Sequence, residues 1–285
     1  MIEEICRMLT IFTIPKPFIG HIGRIQRNAI KSWKLLDPSI EVILFGNEEG
    51  ATDVVEELGL RHIPDVLCNE WGTPYISNIF SYVQKIAKYD VICFANCDII
   101  LLSDFLHAIH RVEEKKQHFF IAGTRRNIDY GNDIDVSIHS ENKIRKYVEK
   151  NGNMSSGTGM DYLVFTRGII EEMPKFLIGR PGWDNWMMWY AADSVYPFIQ
   201  CTSQIMAIHQ NHDYSHVPKR VGNSWEGPEA QYNRSLIDSH FQFCFVRDAN
   251  YILTEKFLLP SISGYYRGLF RSFRRTISLF GKYKV

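Results

Sequence analysis

The sequence contains no run of about 18 consecutive apolar residues, the length a helix needs to span a bilayer, so no membrane span is expected. It has no excess of either charge. Its 32 basic and 32 acidic residues cancel, which removes the usual electrostatic footprint of a nucleic-acid binder. The six cysteines (Cys6, Cys68, Cys93, Cys97, Cys201, Cys244) form no C-x-x-C pair and no zinc-ribbon spacing. Several lie in apolar runs and read as small core residues of a protein in a reducing, cytoplasmic setting. Met1-Ile2-Glu3-Glu4 lacks a basic n-region, and Pro15 and Pro17 break the apolar stretch that follows, so no secretory leader is expected. Glycine-rich phosphate loops are missing too. Ser155-Ser156-Gly157-Thr158-Gly159-Met160-Asp161 precedes an expected strand instead of opening a helix, and G-K-[ST] does not occur.

What is present is ample core material: 45% hydrophobic and 13% aromatic residues argue for a packed α/β chain and against disorder. Met8 to Thr13 reads as a strand closed by Ile14-Pro15-Lys16-Pro17. Ile25, Ala29, Trp33 and Leu36 give helical spacing over Ile22 to Leu36. Glu41 to Phe45 and Leu60 to Ile63 read as strands around a helix from Thr52 to Leu58. A helix from Ile76 to Lys88 feeds a strand from Val91 to Ala95. This alternation implies parallel β-α units. Further on, the pattern predicts a helix over Asp104 to Val112 with Ser103 as N-cap, a strand over His118 to Gly123 and a polar loop from Arg125 to Ser137. Strands are expected over Met160 to Thr166 and, last in the chain, Ile205 to Ile208. An aromatic helix is expected over Trp186 to Ala192.

Four groups of residues could carry chemistry. Asn96-Cys97-Asp98 follows an apolar strand, and a carboxylate at the carboxyl end of a buried strand suits a divalent cation that holds phosphates. The alternative is a turn in which Asp98 bonds local backbone. His209-Gln210-Asn211-His212-Asp213-Tyr214-Ser215-His216 offers imidazoles for manganese or zinc, or for a base or phosphate contact. In Gly182-Trp183-Asp184-Asn185-Trp186, Asp184 is a helix cap or a general base partly desolvated by indoles, which also suit the apolar faces of sugar rings. Arg125-Arg126 contacts a diphosphate or acceptor, or is solvated. Finally, Leu269, Phe270, Phe273, Ile277 and Phe280 fall on one helical side with arginines between them. This is the pattern of a helix lying on an anionic membrane, or of one packed on its own domain or a second subunit.

Taken in order, these segments resemble GT-A-type nucleotide-sugar glycosyltransferases of a bacterial and plant group. The resemblance runs over about residues 8 to 240, through Phe12 to Phe18, the helix with Arg27, Ser32 and Trp33, Val42 to Gly46, Gly72-Thr73-Pro74 before the Asn78 helix, Asn96-Cys97-Asp98, Arg125-Arg126, Gly159 to Phe165, Trp183-Asp184-Asn185, the His209 segment and Gly227-Pro228-Glu229-Ala230. It implies that Thr13, Ile14, Pro15, Phe45, Gly46 and Asn47 cradle the nucleotide, joined on the donor side by Asn78, Asn96, Arg125 and Arg126. It implies a metal held by Asp98 with His209 or His212. Asp184 would activate the acceptor, with Gly159, Asp161, Trp183 and Trp186 around that acceptor. The family's D-x-D motif appears here as Asn96-Cys97-Asp98, with an amide at its first acidic position.

The expectation is therefore a GT-A-like, Rossmann-type mixed α/β sheet with flanking helices. It places a glycosyltransferase domain over residues 1–255, with a nucleotide half at about 8–100 and an acceptor half at about 101–255, and a basic amphipathic tail over 256–285. The expected activity transfers a sugar from a UDP- or GDP-linked donor to a glycan or lipid-linked hydroxyl, with Mn2+ or Mg2+ as cofactor. The expected setting is the cytoplasm or the inner face of the cytoplasmic membrane, with no nucleic-acid partner. A sugar-phosphate nucleotidylyltransferase and a non-catalytic glycan-binding module are the alternatives.

Overall fold

A computed structural model describes residues 8–129, 140–212, 226–237 and 242–282, with side chains up to residue 273 in the last segment. Nine strands form the main sheet in the spatial order β13 (Leu258–Pro260), β12 (Tyr251–Leu253), β10 (Phe198–Gln200), β6 (Phe120–Ala122), β9 (Tyr162–Thr166), β4 (Val91–Ala95), β1 (Leu9–Thr13), β2 (Glu41–Phe45) and β3 (Arg61–Ile63). Only β9 and β13 run against their neighbours. The carboxyl ends of β1, β2, β4, β6, β10 and β12 therefore open at one edge, where an open α/β sheet binds ligands.

Strand alternation divides the core into two layers. Leu9, Ile11, Val42, Leu44, Val91 and Cys93 face α1 (Gly20–Leu36), α2 (Ala51–Leu58) and α4 (Asp104–Glu113). Phe12, Ile43, Phe45, Ile92 and Phe94 face α3 (Ile76–Ile86) and α6 (Trp183–Asp193). In that second layer Phe12 meets Phe45, Phe80, Phe94 and Phe165 edge-on, with ring centroids 5.1 to 6.5 Å apart, the geometry that ring quadrupoles favour.

A second sheet of four short strands, in the order β5 (Ile99–Ile100), β11 (Ala207–Gln210), β7 (Arg125–Ile128) and β8 (Asn153–Met154), lies beyond the ligand edge. Its outer face packs Ile100, Ile128 and Ile208 on Ile144 and Val148 of α5 (Glu141–Asn151). Helix α1 ties the two sheets together. The Trp33 indole donates to the Ile99 carbonyl at 2.8 Å, and the Ser32 hydroxyl accepts the Leu101 N–H. Asn28 donates to the Gln210 side chain, which in turn donates to the Ile25 carbonyl.

Several sequence expectations change. Arg125 to Ile128 is strand β7 instead of loop, because its backbone pairs with β11 and β8; residues 130–137 of that expected loop lie outside the described residues. The strand expected to be last begins at Ala207, carries His209 within it, and is followed by β12 and β13. Ser103 occupies the N-cap position of α4 as expected, but its hydroxyl makes no capping bond and donates to Glu141 at 2.7 Å. The tail forms α8 (Ile262–Lys282), whose Arg271 reaches back to Asp248 at 2.8 Å.

The Gly227-Pro228-Glu229-Ala230 segment opens α7 (Pro228–Ser235). Glu229 is fully buried and pairs with the buried Arg180, while Asn69 donates to its other oxygen at 2.6 Å. Removing one member of a buried pair strands the other charge. Glu229→Ala is therefore expected to lower the unfolding free energy by about 3–5 kcal/mol in a urea titration; a loss below about 1 kcal/mol would show that the pair does not hold α7 in place.

Candidate active site

At the end of β4 the chain turns through Asn96, Cys97 and Asp98 directly into β5. The β4–β9 register sets Ala95 opposite Tyr162, which brings Asp161 across from Asn96. The Asn96 N–H donates to the Asp161 carbonyl at 2.9 Å, and its side-chain amide to the Asp161 carboxylate at 3.3 Å. This contact accounts for asparagine at position 96. An aspartate there would set two carboxylates against each other, whereas the amide donates. The Asp161 carboxylate is also ion-paired with Arg125, and Arg125 Nε donates to Asn127. Burial nonetheless leaves the Asp161 pKa raised, with the Arg125 charge opposing the shift.

On the other side of the turn, β5 pairs antiparallel with β11 and places Ile99 beside His209. Asp98 Oδ2 lies 3.0 Å from His212 Nε2 and 3.9 Å from His209 Nε2. One ligand atom from each of the three residues falls within 4.8 Å of the others. Ligands bound about 2.1 Å from a single ion sit about 3.0–3.5 Å apart, so the cluster fits a divalent cation with little movement. Two further features suit one. Asp98 Oδ1 is buried and has no hydrogen-bond partner among the described residues, a costly condition for a carboxylate oxygen. His209 Nδ1 faces Asn211 Oδ1 at 3.2 Å, so a proton held there leaves the Nε2 lone pair toward Asp98.

The electrostatics agree with this assignment. Burial opposes ionisation of Asp98, but the His212 hydrogen bond and the Lys16 and His209 charges prevail and hold its pKa far below the usual carboxylate range. Burial lowers the His209 pKa to about 4, so its imidazole is neutral near pH 7. A metal ligand must be in that form.

Asp184 sits in the first turn of α6, after Gly182 at the N-cap. Its Oδ1 accepts the Asn185 N–H at 2.9 Å and its Oδ2 the Met160 N–H at 3.4 Å. Gly159 passes so close that a Cβ there would lie 3.4 Å from Asp184 Oδ2. Buried Asn185 donates to the Thr158 carbonyl and holds this loop against α6. Desolvation raises the Asp184 pKa to about 6, with the Asp161 charge adding to the rise. Asp161 in turn feels the charge of Asp98, so the three carboxylates form one coupled row.

The remaining expected residues divide. Phe45 and Asn78 line one cavity of about 290 Å3 at the end of β2, together with Asp65, Tyr82 and Lys85. The Tyr82 ring stands edge-on to Phe45 at 6.3 Å. Asp65, Tyr82 and Lys85 were not singled out in the sequence, since loop polarity and a helical aromatic gave no signal there. Buried Thr13 lies beside the Cys97 thiol, and Ile14 and Pro15 continue from it toward Lys16. Gly46 ends β2 with a positive φ and donates to the Ile63 carbonyl, while Asn47 is exposed.

Three expectations fail on geometry. Arg126 alternates with Arg125 along β7 and so points to the opposite face of the small sheet, where it lines a separate cavity of about 500 Å3 with Asp104, Arg145 and Met154. It does not reach the Asp98 side. Trp183 and Trp186 are each 5% exposed. Trp183 stands edge-on to Phe94 at 5.2 Å and Trp186 stacks on Tyr190 at 5.4 Å, so neither offers a ring face to a sugar. Residues 213–216, with the third histidine of the cluster, lie outside the described residues.

No protein-family model and no curated protein matches this chain. Among solved structures it is similar to S. aureus TarS 1-349 in complex with UDP-GlcNAc, with a TM-score of 0.50 and 10% identity over 73% of this chain and 60% of that one. Glucosyl-3-phosphoglycerate synthase from Mycobacterium tuberculosis, in complex with Mg2+ and UDP, aligns over 73% of each chain at 11% identity and a TM-score of 0.44. The chain has a GT-A-type nucleotide-sugar glycosyltransferase fold. It spans 60% of the length of the S. aureus chain. Within the GT-A fold, the Asp98 turn and the start of α6 lie at the same edge of the sheet.

The raised pKa of Asp184 carries a stability cost. The folded state binds the proton more tightly than the unfolded chain, so the cost is absent below about pH 4 and complete above about pH 6. Asp184→Asn keeps one of the two oxygens that accept backbone N–H groups and removes the buried charge. It is expected to raise the melting temperature at pH 8 by roughly 2–4 °C and to leave it unchanged at pH 4. Equal shifts at both pH values would contradict the desolvation account.

Proposed function

We propose that the protein is a metal-assisted glycosyltransferase of the hexosyl class that moves a sugar from a nucleoside diphosphate sugar to an acceptor hydroxyl, as in the synthesis of a polysaccharide or cell-surface glycan. The observation that carries this reading is the Asp98, His209 and His212 cluster, with its unsatisfied carboxylate oxygen, at the ligand edge of a GT-A-type sheet. The similar S. aureus structure is a complex with UDP-GlcNAc, which supports a donor of the same class.

In this reading Asp98, His209 and His212 hold Mn2+ or Mg2+, which when bound supplies positive charge against the leaving diphosphate. Phe45 and Tyr82 offer aromatic surface to the base, and Asn78 and Asp65 polar groups to the base or ribose. Asp184 performs the proton transfer. A carboxyl with a pKa of about 6 is ionised at pH 7 yet remains basic enough to accept a proton from an incoming hydroxyl. The acceptor oxygen then bonds to the anomeric carbon, the bond from that carbon to the diphosphate oxygen breaks, and the configuration inverts. Asp161 and Gly159 shape the acceptor side, with Asp161 held by Arg125 and Asn96.

The acceptor is proposed to be lipid-linked, with the protein peripheral on an anionic membrane surface. No described helix is long and apolar enough to cross a membrane. On α8, however, Ile262, Tyr265, Tyr266, Leu269, Phe270 and Phe273 are all at least half exposed. Arg267 and Arg271 turn inward to Asp248. Besides these two arginines, the sequence from position 256 to the last residue holds five basic residues and no acidic one, which complements anionic headgroups.

Purified protein is expected to hydrolyse a UDP- or GDP-sugar slowly and to lose that activity in Asp98→Ala. Asp184→Ala should cut transfer by about 10²-fold or more while leaving nucleotide binding intact. Release of pyrophosphate from a nucleoside triphosphate and a sugar phosphate, with no sugar-nucleotide turnover, would replace this reading with a nucleotidyl transfer. Separately, sedimentation with phosphatidylglycerol vesicles but not with pure phosphatidylcholine vesicles is expected. Leu269→Glu with Phe273→Glu should lower that binding by about 10²-fold. Vesicle binding unchanged in the double variant would rule out the α8 surface.

A further inference from the structure

We infer that Lys16 and a divalent cation are alternative partners of the Asp98 carboxylate, and that Lys16 is a binding residue for the donor diphosphate. The inference rests on the reading of Asp98, His209 and His212 as a cation site. Lys16 Nζ lies 3.4 Å from Asp98 Oδ2 and 3.0 Å from His212 Nε2, so it touches two of the atoms that an ion bound between Asp98 and His212 would need. An ammonium and a divalent ion cannot share those atoms, because like charges at about 3–4 Å repel strongly in a partly buried site. The existing contacts also conflict. His212 Nε2 faces both the ammonium and the carboxylate at 3.0 Å. A single ring nitrogen either donates or accepts, so it satisfies one of them at a time.

The local structure holds the Lys16 backbone, while the ammonium reaches Asp98 and His212 on a flexible stem. Buried Gln26 accepts the Lys16 N–H at 2.7 Å and donates to the Lys16 carbonyl at 2.8 Å. Pro15 and Pro17 flank the residue and restrict its backbone further. The side chain is 30% exposed, and its four-carbon stem lets the ammonium move by rotation alone. When an ion takes Oδ2, the ammonium is displaced toward the open edge, where a diphosphate held by that ion would bring its charge. Lys16 then contacts the diphosphate from the β1 side while the ion contacts it from the β4 side.

The test measures Mn2+ binding by electron paramagnetic resonance on full-length protein, with Mn2+ alone, for the parent, Lys16→Met, Lys16→Arg and Asp98→Asn. Lys16→Met is expected to bind Mn2+ about tenfold more tightly than the parent, and Lys16→Arg no more tightly. With saturating Mn2+, Lys16→Met is expected to bind UDP or GDP, whichever the parent takes, about tenfold more weakly, with Lys16→Arg retaining most of the affinity. Unchanged or weaker Mn2+ binding by a folded Lys16→Met, together with loss of binding in Asp98→Asn, would overturn the exchange and leave the cation site standing. Mn2+ binding indifferent to Asp98→Asn, or none in either parent or Lys16→Met, would overturn both.

Discussion

The site depends on the hydrogen bonds that α1 makes to the second sheet. Trp33 and Ser32 bind the backbone just after Asp98, and Asn28 binds the side chain that follows His209. A carboxylate and an imidazole more than a hundred residues apart thus answer to one helix. These bonds are buried, so each unmade partner would carry a desolvation penalty. That penalty restricts Asp98 and His209 to a narrow set of positions. Preorganisation of this kind lets a few side chains hold an ion without paying for order at the moment of binding.

Around that frame, the charges are arranged with little slack. Asp98 is surrounded by three nitrogens, Asp161 is matched by Arg125 and Asn96, and Asp184 meets backbone N–H groups alone among the described residues. The gradient of compensation explains the divergence of their pKa values: Asp98 is held low, Asp161 is raised, and Asp184 is raised to about 6. In the proposed reading, carboxylates at one edge of a sheet are thereby suited to different work, one to holding a cation and one to exchanging a proton. The asparagine in place of the first acid of D-x-D belongs to the same arrangement, because the acid it would repel is already supplied by β9.

The α8 surface shows how charge and apolar area can separate on one helix. From the sequence, the arginines seemed to line the polar edge of a membrane-facing stripe. In the structure Arg267 and Arg271 are used to anchor the helix to Asp248, and Gly264 allows its first turn to lie against the Ala249 carbonyl. The exposed face is more apolar as a result.

Much of the main sheet was legible in the sequence because its strands are continuous apolar runs punctuated by proline and glycine. Val91 to Ala95 and Glu41 to Phe45 were read to the residue, and the acid at the end of the former stood out for the same reason. Of the second sheet only β11 was legible, two residues out of place, as the strand expected over Ile205 to Ile208. Its strands are two to four residues long and polar on one face, as in Arg125-Arg126-Asn127-Ile128, and only pairing with β11 makes them strands. Side-chain direction was equally hidden. Neighbouring arginines 125 and 126 are equivalent in the sequence, yet the two-residue period of a strand sends one to Asp161 and the other to a different cavity. The tryptophans beside Asp184 were read as surfaces for sugar rings because aromatic residues mark both cores and sugar sites, and burial alone separates the two. Local chemistry thus named the strands and the ionisable groups. Which of those groups meet was decided by long-range pairing and by the helix that holds it, since contacts between residues 16, 98, 209 and 212 have no local trace in the chain.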